Sequence, residues 1–223
     1  MQSAEQSSHR VVAIDGPAAS GKSSVARELA RRLGFAYVNS GAIYRAITWH
    51  ILEKEIDVAE SDRVAHAVES AQITCCLRDN ESRIIIDNVD PNDYLRDDRV
   101  NERVSRVSSI PRVREIVVDK MREYARGRDL VIEGRDIGSV VFPDTAYKFY
   151  VDASPEVRLR RRAAQGQRDE ITIRDLADSS RPVSPLVVAK DAYVIDTSHL
   201  TIEQVVKEII SRLEQSGLHA SAA

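Results

Sequence analysis

The chain has 223 residues, above the roughly 100–150 typical of one domain, so one sizeable domain with an insertion is expected rather than two independent ones. At 43% hydrophobic and 30% charged residues, with Gly 9 and Pro 7, it is neither disordered, fibrous nor low in complexity. The formal charge of -3 supplies no basic field for a non-specific nucleic-acid or membrane binder, and no apolar run approaches the roughly 18 residues of a membrane span.

Five short apolar runs read as strands: Val11–Ile14, Phe35–Val38, Leu130–Ile132, Tyr147–Val151 and Tyr193–Ile195. After the first, Val25, Leu29 and Leu33 recur at helical spacing over Lys22 to Leu33, with Gly34 as a stop. After the second, Ile43, Ile47 and Ile51 mark a helix that Ser40 is placed to cap. Residues from about 62 to 108 break the alternation. There Ile73–Leu77 and Ile84–Ile86 flank Arg78-Asp79-Asn80-Glu81-Ser82, a β-hairpin turn, so this stretch is read as an insertion.

Pro111 opens a helix carrying Val113, Ile116, Val117, Met121 and Tyr124, closed by Gly127. Ser154-Pro155-Glu156 opens another after the fourth strand, and Thr201 with Gln204 forms a capping box for a last helix that buries Val205, Ile209 and Leu213. Strands alternating with helices predict an α/β protein with a mostly parallel, doubly wound sheet of about five strands and helices on both faces. The ends, Met1–His9 and Gly217–Ala223, are expected to fray. Cys75 and Cys76 are adjacent, which gives neither metal-ligand spacing nor a CxxC motif; with no signal-peptide core in Met1–Arg10, a reducing cytoplasm is the expected compartment.

Gly16-Pro17-Ala18-Ala19-Ser20-Gly21-Lys22-Ser23 satisfies GxxxxGK[ST] between a strand and a helix, the context the pattern needs. Its glycines let backbone amides close around phosphate oxygens, Lys22 reaches the outer phosphates, and the Ser23 hydroxyl can face Mg²⁺. ATP binding follows. A guanine-specific N/TKxD motif does not occur in the sequence, which argues against a GTPase-type switch.

Other candidates follow predicted strands, where open α/β sheets bind ligands. Ser40 and Arg45 can converge on an anion or serve as a cap and a solvated arginine. Glu133-Gly134-Arg135-Asp136 places charge at the sheet's mouth; if the segment is helical, Arg174, Asp178 and Arg181 share one face, which also suits a surface salt-bridge ladder. Of Arg158, Arg160, Arg161 and Arg162 one or two are expected to face water, while Arg158, Arg161 and Arg162 share a face suited to stacking on adenine or neutralising triphosphate oxygens from a flap. Of 32 positive residues 26 are arginine, a bias that gene composition alone can produce, so only placed arginines count.

Together these motifs resemble the bacterial cytidylate kinases, P-loop nucleoside monophosphate kinases, from about Val11 to Leu213. The resemblance rests on Ile14-Asp15-Gly16-Pro17 and the P-loop, Ser40-Gly41-Ala42-Ile43-Tyr44-Arg45, and Pro111-Arg112-Val113-Arg114-Glu115. Gly134-Arg135-Asp136-Ile137-Gly138 with Val141-Phe142-Pro143, and Arg174-Asp175, Asp178, Arg181 and Pro185-Leu186, complete it.

The resemblance implies a single kinase domain over residues 10–223, with a monophosphate-binding insert at about 62–108 and a short lid at about 158–181. It implies phosphoryl transfer from ATP, with Mg²⁺, to CMP or dCMP, by a monomer without nucleic-acid or membrane partners. Gly16 to Ser24 and Arg161 would bind ATP, with Lys22, Arg135 and Arg181 catalytic. Ser40, Arg45, Arg135 and Arg181 would hold the acceptor phosphate, Arg174 and Asp178 its sugar, and Ser105, Arg114 and Asp136 its base. Asn39 stands where an acid is expected, and only the eleven residues Ala163–Ile173 separate Arg162 from Arg174, which predicts a truncated lid. A P-loop kinase for UMP, AMP or shikimate, or an ATP-dependent switch that transfers nothing, shares the P-loop.

Overall fold

A computed structural model describes residues 9–164 and 171–218, apart from the side chains of Ile171, Thr172 and Arg174. In chain order the elements are β1 (Val11–Asp15), α1 (Lys22–Leu33), β2 (Ala36–Asn39), α2 (Ser40–Glu53), α3 (Ser61–Ser70), β3 (Ile73–Arg78) and β4 (Glu81–Ile86). They continue with α4 (Asp98–Ser108), α5 (Pro111–Tyr124), β5 (Leu130–Gly134), a π-turn at Ile137–Val141, β6 (Tyr147–Asp152), α6 (Pro155–Ala164), α7 (Ile171–Ser179), β7 (Tyr193–Asp196) and α8 (Ile202–Gln215). The strands form one sheet in the order β3-β4-β2-β5-β1-β6-β7, parallel except for the β3–β4 pair.

All five residues of β1 are buried because both faces of the sheet are covered. Val11 and Ala13 pack into a core with Ile47 of α2, Val64 of α3, Val104 of α4 and Val117 of α5. Val12 and Ile14 point the other way, to Leu29 of α1 and Ile209 of α8. Period-2 alternation thus divides the apolar residues of a central strand between two cores, which is what makes the fold doubly wound.

The sheet has seven strands rather than about five, because the hairpin joins it instead of standing apart. Asp79 (φ 51°) and Asn80 (φ 62°) both occupy the left-handed region, as a two-residue type I′ turn requires. Asn80 then docks on β2: its Nδ2 donates to the Phe35 carbonyl at 2.8 Å and its carbonyl accepts from Tyr37 N at 2.9 Å. Cys75 and Cys76 lie in β3 with free thiols.

Two terminal expectations are corrected. The cap of α2 is Asn39, whose Oδ1 accepts from Ala42 N at 3.0 Å, so Ser40 is the first helical residue and its hydroxyl is left for other use. At the other end Gly217 and Leu218 do not fray: Gly217 adopts φ +82°, Leu218 N bonds the Leu213 carbonyl at 2.8 Å, and the Leu218 side chain is buried. The capping box of α8 forms as expected between Thr201 and Gln204. Among the described residues no helix is long and apolar enough to cross a membrane.

Candidate active site

The P-loop leaves β1 at Gly16, where any Cβ would stand 2.1 Å from the Val151 carbonyl oxygen, so only glycine fits. Gly21 caps α1 at φ +94°, and Lys22 lies buried with its Nζ on the Pro17 carbonyl at 3.0 Å. Ala18, Ala19, Gly21, Lys22, Ser23 and Ser24 line a cavity of about 1020 Å³ at the carboxyl ends of the strands. Gly16, Pro17 and Ser20 do not line that cavity.

Opposite the P-loop the same cavity is lined by Ser40, Arg45, Ser105, Arg114, Arg135, Asp136, Asp178 and Arg181. Sequence positions from 40 to 181 thus converge on one space. Arg114 and Asp136 form an ion pair at 2.5 Å, and Arg114 Nη1 donates to the Ser108 carbonyl at 3.0 Å. Burial opposes the charge on Arg114, but Tyr44 and Asp136 more than offset it and raise its pKa. Asp178 sits between two guanidinium groups, accepting from Arg135 Nε at 2.8 Å on one oxygen and from Arg181 Nη2 on the other. Arg181 also donates to Ser108 Oγ at 3.0 Å; burial first, and the neighbouring Arg114 and Arg135, pull its pKa down against the charge of Asp178.

Arg114 Nε, Arg181 Nε, Tyr44 OH and Ser20 Oγ are buried with no hydrogen-bond partner among the described residues. Three of these atoms, on Tyr44, Arg114 and Arg181, belong to residues that line the cavity, and orphaned polar atoms there mark a place where a polar ligand completes the structure. Arg45, on α2, reaches Asn101 Oδ1 at 3.4 Å.

Helices α6 and α7 grip the P-loop from outside. Arg158 pairs with Asp175, whose other oxygen accepts the Ala18 amide at 3.1 Å, and Arg158 Nη1 donates to the Ala18 carbonyl at 3.3 Å. Arg161 lines the cavity while its guanidinium bonds the Ser20 carbonyl at 2.9 Å and Thr197 Oγ1 at 3.0 Å. Arg160 faces solvent. The Arg174 side chain and the turn of the predicted short lid lie outside the described residues.

A P-loop facing a cluster of arginines interleaved with the buried carboxylates Asp136 and Asp178 is the arrangement of a phosphotransferase with an anionic, polar acceptor. The family model described as Cytidylate kinase matches residues 12–215. The chain belongs to the cytidylate kinase family. It is 40% identical over 216 residues to the cytidylate kinase of Caldanaerobacter subterraneus subsp. tengcongensis, covering 92% of this chain and 95% of that protein. The cytidylate kinases of Limosilactobacillus fermentum and Mycobacterium leprae are 41% and 43% identical, each over 92% of this chain and 96% of the relative.

Seen as a cytidylate kinase family member, the chain also places two side chains that sequence reading did not single out. Ser108 links Arg114 and Arg181, accepting from the first on its carbonyl and from the second on its hydroxyl. Glu133, buried at the end of β5, lines the cavity and accepts from the Tyr37 hydroxyl at 3.2 Å. Mg²⁺ is usually held by one or two protein oxygens together with substrate phosphates. The Ser23 hydroxyl, in the first turn of α1, and the Glu133 carboxylate, near the end of β5, are hard oxygens that both line the cavity and fit that requirement. The motif around Glu133 was visible, but nothing local distinguishes a metal-facing carboxylate from half of a surface pair.

Proposed function

We propose that this chain transfers the γ-phosphoryl group of ATP to the phosphate of CMP or dCMP, releasing ADP and the cytidine or deoxycytidine diphosphate. The observation that carries this reading is a single cavity with the P-loop on one wall, the Arg114–Asp136 pair on the other, and arginines between them.

The wall chemistry is complementary to cytosine. Its amino group donates to the Asp136 carboxylate, while arginine donors meet the ring nitrogen and carbonyl. Uracil would set a carbonyl against Asp136, two acceptors opposed in a buried site, which discriminates strongly. Ser105 adds a hydroxyl on α4, and Asp178 with Arg174 addresses the sugar.

Arg135 and Arg181, with Ser40 and Arg45, hold the acceptor phosphate and offset the repulsion between it and the triphosphate. Within the P-loop segment Gly16 to Ser24, the backbone amides at the cavity-lining Gly21 to Ser24 and the Lys22 ammonium hold the donor, with Arg161 closing over it. An oxygen of the acceptor phosphate attacks the γ-phosphorus as the bond to the β-phosphate bridging oxygen breaks, so one P–O bond forms for one lost. An ionised phosphate is already a nucleophile, so no general base is assigned; positioning and charge neutralisation supply the catalysis. Mg²⁺, when bound near Ser23 and Glu133, would neutralise charge on the β- and γ-phosphates. Closure of the 158–181 segment excludes water and limits ATP hydrolysis.

The test is to incubate the protein with ATP, Mg²⁺ and each of CMP, dCMP, UMP, AMP and GMP, following ADP and nucleoside diphosphate together. Rapid turnover confined to CMP and dCMP is the expected result. Preferred turnover of another nucleotide would overturn the base pocket, and ADP without any diphosphate would overturn the transfer reaction.

A further inference from the structure

Asp15, the last residue of β1, has no role in the reading above, yet it bridges the two halves of the site. Its carboxylate accepts two consecutive backbone amides, Ile137 N and Gly138 N, each at 2.8 Å. Those amides directly follow Arg135 and Asp136, and Asp15 directly precedes Gly16, where the P-loop begins. The β1–β5 ladder ends at the pairing of Asp15 with Gly134. Past that point the Asp15 carboxylate carries the connection from the donor loop to the loop bearing the acceptor residues.

A carboxylate is an expensive choice here. Asp15 is 5% exposed, and burial raises its pKa to about 6 although both amides favour the ionised form. Asp136 pushes in the same direction as burial, and Lys22 opposes it. Each amide has its own carboxylate oxygen, Oδ1 for Ile137 and Oδ2 for Gly138, and asparagine in the same pose would set an NH₂ donor against one of the two N–H groups. The partner is shaped to match: a Cβ on Gly138 would stand 3.4 Å from Asp15 Oδ2 and 3.1 Å from Lys148 Cγ.

We propose that Asp15 is a positioning residue that fixes the Arg135–Asp136 loop relative to the P-loop, holding the acceptor phosphate in line with the γ-phosphoryl group. The inference rests on the phosphoryl-transfer reading given above. Transfer depends on alignment more steeply than binding does, since a misplacement of about 1 Å can cost about 10²-fold in rate. The donor and the acceptor are held by separate sets of residues, most of the acceptor's lying outside the Arg135–Asp136 loop, so loosening the tie between loops should spare the two affinities and strike the transfer step.

The experiment uses Asp15→Asn and Gly138→Ala, the second shifting the same tie from the far side with the carboxylate retained. ATP and CMP affinities are measured by calorimetry at a temperature where circular dichroism shows each protein folded. Steady-state kcat and KM and the ratio of ADP to CDP formed follow on the same preparations. The expected result for Asp15→Asn is both affinities within about threefold of the parent, kcat lower by about 10²-fold, and more than one ADP per CDP. Gly138→Ala should show the same pattern with a smaller loss, and decides the matter if Asp15→Asn does not fold. A kcat close to the parent's in the folded variant, or a loss expressed wholly in KM and affinity, would overturn the proposal. Absence of CDP formation by the parent protein would instead refute the functional reading, so the two failures are separable.

Discussion

The guanidinium of Arg114 and the carboxylate of Asp136 meet at 2.5 Å with their side chains 3% and 5% exposed, a fully enclosed ion pair on the wall of the cavity. Removing one partner leaves an uncompensated buried charge, which costs about 3–5 kcal/mol. Asp136→Ala should therefore lower unfolding free energy by that order in denaturant titration and also reduce kcat/KM for CMP. Arg10→Ala is the control, since Arg10 and Asp129 form a partly buried pair outside the cavity lining. Equal losses of CMP turnover in the two variants would contradict a base-reading role for Asp136.

Lys22 has its ammonium folded onto the P-loop carbonyl of Pro17. The packing of α1 comes from Val25, Leu29 and Leu33 instead, so Lys22→Ala should keep the fold. Its turnover should fall by at least about 10²–10³-fold, the scale of losing one electrostatic contact to the transferring group. Circular dichroism checks the first statement and a coupled ADP assay the second; parent-level activity would contradict the P-loop assignment.

What could be read from sequence was what lies close together in it. Strand, P-loop and helix are contiguous, the Asp79-Asn80 turn is two residues, and the Thr201–Gln204 box spans one helical turn. Docking of the hairpin on β2 depends instead on Asn80 reaching Phe35 and Tyr37 across 45 and 43 residues of chain, which leaves no periodic signal. Helices α3 and α4 sit in a stretch read only as an insertion. Asn39 and Ser40 are both good caps, and only the Asn39–Ala42 bond separates them. Ser108 escaped notice because its importance lies in contacts with Arg114 and Arg181, distant in sequence.

Asp178 is the negative charge between Arg135 and Arg181. Asp178→Asn should leave the two cations repelling each other and lower Tm. Inorganic phosphate, able to take the vacated counterion role, should then raise the variant's Tm by more than the parent's. Equal shifts in the two proteins, read by differential scanning fluorimetry, would contradict this electrostatic account.

The pKa of Asp15 is raised from 3.8 to about 6, so between those values the folded state holds a proton that the unfolded chain has released. Its contribution is therefore most favourable below about pH 4 and declines as pH rises to about 6, by about 3 kcal/mol in all. Asp15→Asn does not titrate there. The difference in unfolding free energy between parent and variant should shift toward the variant by that order between pH 4 and pH 7. Parallel stability curves across that window would contradict the burial argument.

The central claim is that Asp136 makes this site a reader of cytosine, and the ratio of kcat/KM for CMP to that for UMP tests it most directly. The account predicts a parent ratio of at least about 10², with one buried acceptor–acceptor mismatch costing 1–3 kcal/mol and further loss from misplacement. In Asp136→Asn, whose side chain can donate to a carbonyl as well as accept, the ratio should collapse toward one. A ratio unchanged by the substitution would contradict the claim.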